Sequence, residues 1–525
     1  MINDIDISKL IAKEIRENKN ITREEIQKLK MEYSKRFHKR IPKNSEILDA
    51  LEDERDSYRD LLVRKPSRTL SGVAVVAAMT SPFPCPHGKC IYCPGGVEYN
   101  TAQSYTGREP AALRAIANDY DPYRQVRARI EQLNKIGHAT SKIDGIVMGG
   151  TITARPESYQ EYFVKGMYDA MNGFESENLM DAKNWNEFSK NRMIGLTFET
   201  RPDWFYEREI DESLKIGVTR VELGVQTVFD DILNLVRRGH GQSEVIRATR
   251  LARDAGLKIG YHMMPGLPGS SPERDLESFK TIFENENYRP DMIKIYPTVV
   301  VKNSELYNWW KEGKYRAYDD DTFLNLLVEI KKIVPKWVRI QRVARDIPVP
   351  LIIDGIRRSD IRDLAYNRLK ENNSHCRCIR CREIGRKMER GEIINNEFNI
   401  QLLRTDYRAG EGIEIFLSFE DLNNDAIIGY LRLRKPSDHF HRHELFNGMI
   451  VRELKVLGEE VPVGYKFNMA FQHRGYGRKL MEAAEDITKN EFGYGYLLVN
   501  SGSGAVEYYR KLGYEKFGVY VRKKL

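Results

Sequence analysis

The chain has 525 residues, 41% of them hydrophobic, which suffices for several packed domains and excludes a disordered or fibrous polypeptide. Its formal charge is +8, from 84 Lys plus Arg against 76 Asp plus Glu, too small an excess to mark the whole chain as a polycation. The first thirty residues are charged throughout and no apolar run approaches the ~18 residues a bilayer crossing needs, so neither signal peptide nor membrane partner is expected and the protein reads as cytoplasmic.

Residues 1–68 read as a helical head, with Leu10, Ile11 and Ile15, then Ile26, Leu29 and Tyr33, at helical spacing. Between residues 28 and 43 stand seven basic side chains against one acid, Glu32. Such density attracts a phosphate backbone, although most charge runs are only solvated helix faces. Lys35, Arg36, Lys39 and Arg40 are the candidate nucleic-acid contacts.

From Ser71 the texture changes to short apolar runs separated by long amphipathic stretches. The runs are Val73–Met79, Ile143–Met148, Met193–Phe198, Val218–Leu223, Leu257–His262, Met292–Tyr296 and Val338–Val343. Strand then helix, repeated about six times, predicts a parallel sheet, with chemistry at the strand C-terminal ends. The distinctive short motifs follow these strands: a cysteine loop after the first, Gly149-Gly150-Thr151 after the second, Glu199-Thr200-Arg201-Pro202-Asp203 after the third, Gln226-Thr227 after the fourth.

All six cysteines fall into two clusters, a pattern of metal binding in a reducing compartment rather than of disulfides. The first is Cys85-x4-Cys90-x2-Cys93, with Gly and Pro bending the backbone between thiols. Three thiolates hold three irons of a 4Fe-4S cluster and leave the fourth open to a substrate or cofactor. The alternatives are a zinc knuckle with His87 as fourth ligand, or three buried thiols without metal. The second cluster, His375-Cys376-Arg377-Cys378-Ile379-Arg380-Cys381, suits structural zinc held by Cys376, Cys378 and Cys381, with His375 or a distant residue completing the tetrahedron. Residues 376–390 carry six basic side chains against two acids, a second basic patch.

In the last 130 residues, a strand around Val451–Val456 precedes Gln472-His473-Arg474-Gly475-Tyr476-Gly477, which opens an amphipathic helix. Glycines entering a helix let several backbone N–H groups converge on an anion such as a pyrophosphate, the mark of a coenzyme A seat. A late Tyr508-Tyr509 pair and a final strand follow. The segment resembles a GNAT acetyltransferase, whose signature is Gln/Arg-x-x-Gly-x-Gly/Ala.

The cysteine triplet, the Gly149-Gly150 motif and the strand–helix repeat resemble the radical S-adenosylmethionine (SAM) superfamily, although its usual spacing is Cys-x3-Cys-x2-Cys and the first gap here is one residue longer. Tyr105-Thr106-Gly107-x-Glu109-Pro110, Thr197–Asp203 and Arg345-Asp346-Ile347-Pro348 narrow the resemblance to the catalytic third subunit of the Elongator complex, in a stand-alone archaeal form. That resemblance implies an α/β enzyme in four parts: a basic helical tRNA-binding head (1–68), a radical SAM partial (βα)6 barrel with its 4Fe-4S loop (69–345), a basic zinc-binding linker (346–392) and a C-terminal α+β GNAT domain (393–525).

It further implies that SAM is cleaved to a 5′-deoxyadenosyl radical, which takes hydrogen from the acetyl methyl of acetyl-CoA so that the carbon radical adds to C5 of uridine 34. Thioester hydrolysis then leaves 5-carboxymethyluridine, the work of a tRNA carboxymethyluridine synthase, or tRNA uridine(34) acetyltransferase. By resemblance, cofactor contacts fall on Lys142, Gly149, Gly150, Glu453, Leu454, Lys455, Val456, Gln472, Gly475, Tyr476, Gly477, Arg478 and Tyr509, with Tyr508 and Tyr509 as catalytic candidates. The implied partners are a tRNA anticodon stem-loop and an electron donor for the cluster; homodimer or monomer is left open. The competing readings are a protein lysine acetyltransferase with a structural iron-sulfur cluster, and a tRNA-binding scaffold without catalysis.

Overall fold

A computed structural model describes residues 6–18, 20–55, 57–63, 72–393, 398–458 and 475–525. Gln472 and the stretch Val463–Ala470 lie outside the described residues.

The head is helical, with helices Ile7–Glu17, Arg23–Arg36 and Asn44–Ala50 closing over Ile11, Ile15, Ile26, Ile47 and Leu48. Thr22 and Glu25 form a reciprocal capping box that fixes where the second helix begins. The basic run is less available than its sequence suggests. Lys30 is buried and donates to Asn44 Oδ1 at 2.6 Å, and Arg40 is held by both carboxylate oxygens of Glu46.

Seven parallel strands make the central sheet: β1 (Ala74–Met79), β2 (Lys142–Met148), β3 (Arg192–Thr200), β4 (Arg220–Gln226), β5 (Lys258–Met263), β6 (Met292–Ile295) and, after the two-residue β7 (Val300–Val301), β8 (Arg339–Val343). Their order is sequential with β1 and β8 at the edges, an open barrel wound by helical crossovers as the alternating texture predicts. β7 pairs with β9 (Ile352–Asp354) in a small separate ribbon.

The outward face of each strand is apolar. Val221, Leu223 and Val225 of β4, Ile259 and Tyr261 of β5 and Ile293 of β6 join the main core under the helices. The inward face is not. Arg220, Glu222, Lys258, His262 and Lys294 occupy positions that a (βα) barrel ordinarily fills with branched aliphatic layers.

The second sheet runs β10 (Ile400–Ala409), β11 (Gly412–Asp421), β12 (Ala426–Lys435), β13 (Gly448–Val456) and β14 (Tyr496–Val499), then β16 (Tyr520–Lys524) and β15 (Glu515–Phe517). It is antiparallel except between β13 and β14. This sheet caps the N-terminal mouth of the barrel. Arg452 donates to the carbonyl of Leu257 and to Asp291, Arg432 to the carbonyl of Trp337, and Tyr520 to the carbonyl of Ala255, all just before barrel strands.

The segment read as a basic linker is instead packed between the two bodies. Cys376 and Cys378 belong to the main core, Ile379 donates its N–H to Val338 O, and Glu383 bridges to Ile427 of β12. Four of the six cations of residues 376–390 face protein: Arg382 binds Glu420 and Asp425, Arg386 binds Glu383, Lys387 donates to Asn424 O, and Arg390 pairs with Glu392. Anchoring two bodies engages most of the charges of the second basic patch.

Candidate active site

The loop after β1 brings Cys85, Cys90 and Cys93 to the C-terminal end of the sheet, Cys90 and Cys93 buried and Cys85 partly so. Each sulfur meets a different polar group. His87 Nε2 lies 3.2 Å from Cys90 Sγ, Gln103 donates to Cys93 Sγ at 3.1 Å, and Thr151 Oγ1 lies 3.6 Å from Cys85 Sγ. Arg238 is buried and reaches toward Cys90 Sγ at 3.9 Å. Burial, reinforced by Arg201 and Arg238, holds His87 down at about 3, so its ring is neutral.

Spacing separates the two cysteine groups. Around one tetrahedral zinc, thiolate sulfurs sit ~3.8 Å apart, as Zn–S bonds of ~2.3 Å require. Cys376, Cys378 and Cys381 meet that, with their sulfurs all within 4.8 Å of one another. Cys85, Cys90 and Cys93 do not form such a group, so at least one pair of their sulfurs stands farther apart. Wide thiols ringed by donors fit a multi-iron cluster, not a single ion. His375 is not among the atoms gathered at the second group, where Lys331 Nζ approaches Cys381 Sγ at 3.5 Å.

Beside the cysteine loop, the Gly149-Gly150 turn has φ of +128° and +95°, a backbone region closed to most side chains. A Cβ on Gly149 would lie 2.2 Å from Thr80 Oγ1, and one on Gly150 would lie 3.8 Å from Cys85 Sγ. The two glycines therefore let the end of β2 pack closely against Thr80 and Gln103 beside the thiols. The pocket there also receives Tyr105, Glu199, Arg201, Tyr296 and Arg345.

At the opposite mouth, β13 runs past its neighbour: Gly448–Val451 pair with β14, whereas Arg452–Val456 continue beyond it. The backbone of Glu453–Val456 on that side is thus left to take the amides of an extended ligand arm. Gly475, at φ +81°, caps the helix Tyr476–Asp486, and a Cβ on Gly477 would lie 2.8 Å from Tyr508 Oη. Of the two tyrosine candidates, Tyr508 is 39% exposed with its hydroxyl at this helix start, whereas Tyr509 is buried in the acetyltransferase core against Tyr508 and Tyr514. Arg478 is exposed and pairs with Glu482.

Glu453 and Lys455 alternate with the inward Leu454 and face the barrel floor. Burial would raise Glu453, but Arg432 and Lys258 outweigh it and leave the carboxyl at about 2. Burial first, then Arg339, brings Lys455 down to about 8. Lys142 and Asp144 sit on the lumen-facing side of β2, with Asp144 accepting from Arg220 at 2.9 Å. Lys142 and the Glu453–Val456 strand therefore border the same floor.

Family comparisons divide the chain along these lines. The ELP3 N-terminal domain matches residues 5–70, the Radical SAM superfamily 81–282, the Radical_SAM C-terminal domain 290–371 and the Acetyltransferase (GNAT) domain 413–516. The tRNA uridine(34) acetyltransferase of Methanocaldococcus jannaschii is 48% identical over 98% of this chain and 96% of its own length. The chain belongs to the Elongator complex protein 3 family. Human Elongator complex protein 3 is 44% identical over 91% of the chain and 90% of its own length. The solved structure of archaeal Methanocaldococcus infernus Elp3, lacking its N-terminus, shares 45% identity and a TM-score of 0.78 over 87% of this chain and all of that one. Membership in this family implies a 4Fe-4S cluster and SAM for the barrel and acetyl-CoA for the acetyltransferase domain, and the donor-ringed thiols and the open β13 edge fit them.

Sequence reasoning missed one constellation. Glu199, Glu222, His262 and Lys294 meet inside the barrel, with His262 Nε2 3.0 Å from Glu222 Oε2 and Lys294 Nζ 2.9 Å from Glu199 Oε1. The signal was present in Arg220-Val-Glu222-Leu-Gly224-Val-Gln226, which alternates where a buried parallel strand should be continuously apolar. Among the described residues, no helix is long and apolar enough to cross a membrane.

Proposed function

We propose that this protein modifies the wobble uridine of tRNA, using SAM and acetyl-CoA to install a carboxymethyl group at C5 of uridine 34. The observation that carries it is the placement of two cofactor seats at opposite mouths of one barrel, thiols at the C-terminal end and the β13 edge beneath the floor. Relatives named tRNA uridine(34) acetyltransferase support the substrate. An ordinary acetyl transfer to an amine needs no radical; forming a carbon–carbon bond from an unactivated methyl does.

In this reading Cys85, Cys90 and Cys93 hold the cluster, which when reduced supplies the electron that cleaves SAM. The chain's own residues do the rest by placement. Gly149 and Gly150 bring the end of β2 close beside Cys85, and Arg201 is fixed by Asp203 and the Arg238 carbonyl. Lys142 and the Glu453–Val456 edge, with Gly475, Tyr476, Gly477 and Arg478, hold acetyl-CoA, and Tyr508 is the tyrosine poised at it. Lys35, Arg36 and Lys39 on the head meet the anticodon stem through phosphates, with an electron donor as second partner. Cys376, Cys378 and Cys381 hold a structural zinc that ties barrel to acetyltransferase.

The test pairs reduced, cluster-loaded wild type with Cys90→Ala, each given SAM, acetyl-CoA and an anticodon stem-loop. Modified uridine should form with wild type alone. If Cys90→Ala makes it equally well, the radical reading is lost.

A further inference from the structure

The barrel's interior carries a charged group that the cofactor seats do not account for. Glu199 and Glu222 face each other in register on β3 and β4, and His262 and Lys294 in register on β5 and β6. With His262, the two carboxylates place their ligand atoms within 4.8 Å of one another, a spacing suited to a cation. That cation is already present: Lys294 Nζ sits between Glu199 and Glu222. The ammonium held by the two carboxylates takes the place a metal ion would occupy.

Three further observations bear on the group's role. Glu222 has a fully buried side chain, and its Oε1 makes no hydrogen bond but faces Arg220 Nε at 3.5 Å. Glu199, Glu222 and His262 all line the pocket that also exposes Cys85 and Cys90. Gly260 faces Glu222 across the register, and a Cβ there would come within 2.9 Å of Glu222 Cγ, so the glycine makes room for the Glu222 side chain. Burying charges is costly unless they are paired, and this quartet is retained where aliphatic packing would serve a purely structural barrel.

We propose that Glu199 is the base that removes the C5 proton of the substrate uracil, aimed by Lys294 and Tyr105, with Glu222 and His262 as the proton's onward path. The proposal rests on the functional reading above. When the acetyl-derived carbon bonds to C5, that carbon still carries its hydrogen and C6 holds an unpaired electron. Restoring the C5=C6 double bond requires one electron to leave C6 and one proton to leave C5. The electron goes to a one-electron acceptor of the iron–sulfur class, the centre that gave one electron at the start of turnover. The proton goes to the Glu199 carboxylate, which accepts from Tyr105 Oη at 3.0 Å and from Lys294 Nζ at 2.9 Å.

The experiment uses the full chain and an anticodon stem-loop tritiated at C5 of its wobble uridine. Wild type should release tritium to water in step with 5′-deoxyadenosine. Glu199→Gln, which keeps the size of the side chain but removes its basic carboxylate, should release about 100-fold less tritium per 5′-deoxyadenosine formed, the usual scale of general-base catalysis. Glu199→Asp should recover part of that loss. In cluster-free protein, a stem-loop carrying ¹³C at the same C5 should show a C5 resonance that differs between wild type and Glu199→Gln. Undiminished tritium release per 5′-deoxyadenosine in Glu199→Gln, or identical C5 resonances, would overturn the assignment. Absence of 5′-deoxyadenosine in wild type would instead sink the functional reading on which it stands.

Discussion

Cys376, Cys378 and Cys381 show how much one residue's company decides. Three sulfurs within 4.8 Å of one another, beside the Lys331 ammonium, are arranged for thiolates and hence for a cation. Cys378 is completely buried, so its replacement removes a ligand without exposing a surface. We expect Cys378→Ser to lose zinc by elemental analysis while its acetyl-CoA affinity changes less than about threefold, because these thiols lie at the barrel–acetyltransferase seam rather than at the β13 edge. Zinc retained at wild-type stoichiometry would remove it from these thiols.

At the scale of elements, function sits where a strand or helix departs from its neighbours. β13 outruns β14, and the helix Tyr476–Asp486 starts on two glycines beneath Tyr508. Because a Cβ on Gly477 would already crowd Tyr508 Oη at 2.8 Å, Gly477→Val should weaken acetyl-CoA binding at least tenfold by calorimetry. Its melting temperature should move little, since the site faces solvent. These elements were legible in sequence because their chemistry is local: cysteine spacing, Gly149-Gly150 and the glycine-led helix each need only a few neighbouring residues. Pairings between distant segments were not. Nothing near Arg382 announces Glu420, and nothing near Glu222 announces Lys294, so the basic linker read as an RNA surface and the lumen quartet went unseen. The alternation of β4 carried the one available hint, outweighed by the expectation that parallel strands are apolar on both faces.

On the whole molecule, buried ion pairs join the barrel and the acetyltransferase body alongside apolar contacts such as Ile450, Leu498 and Tyr520. Arg452 is completely buried and held by Asp291 at 2.7 Å and Glu414 at 2.6 Å. Arg452→Ala takes the bidentate partner from Asp291 and leaves Glu414 to Arg434, and should cost ~3–5 kcal/mol of stability in chemical denaturation. Acid should loosen the same seam. Glu383 and Glu453 titrate at about 2 when folded, where Arg339 and Arg432 overcome the burial that would raise them, and near 4.5 when unfolded. Between those values the unfolded chain binds more protons, so the stability these groups supply is complete above pH ~4.5 and lost as the pH falls toward 2. Calorimetric melting should therefore drop steeply across that window. The central claim is that one barrel brings a SAM-derived radical to the methyl of acetyl-CoA. Its most direct measurement is the mass of 5′-deoxyadenosine formed with acetyl-CoA deuterated on that methyl and an anticodon stem-loop. Deuterium transferred to the 5′-deoxyadenosine is the expected result; modified uridine accompanied by wholly unlabelled 5′-deoxyadenosine would contradict it.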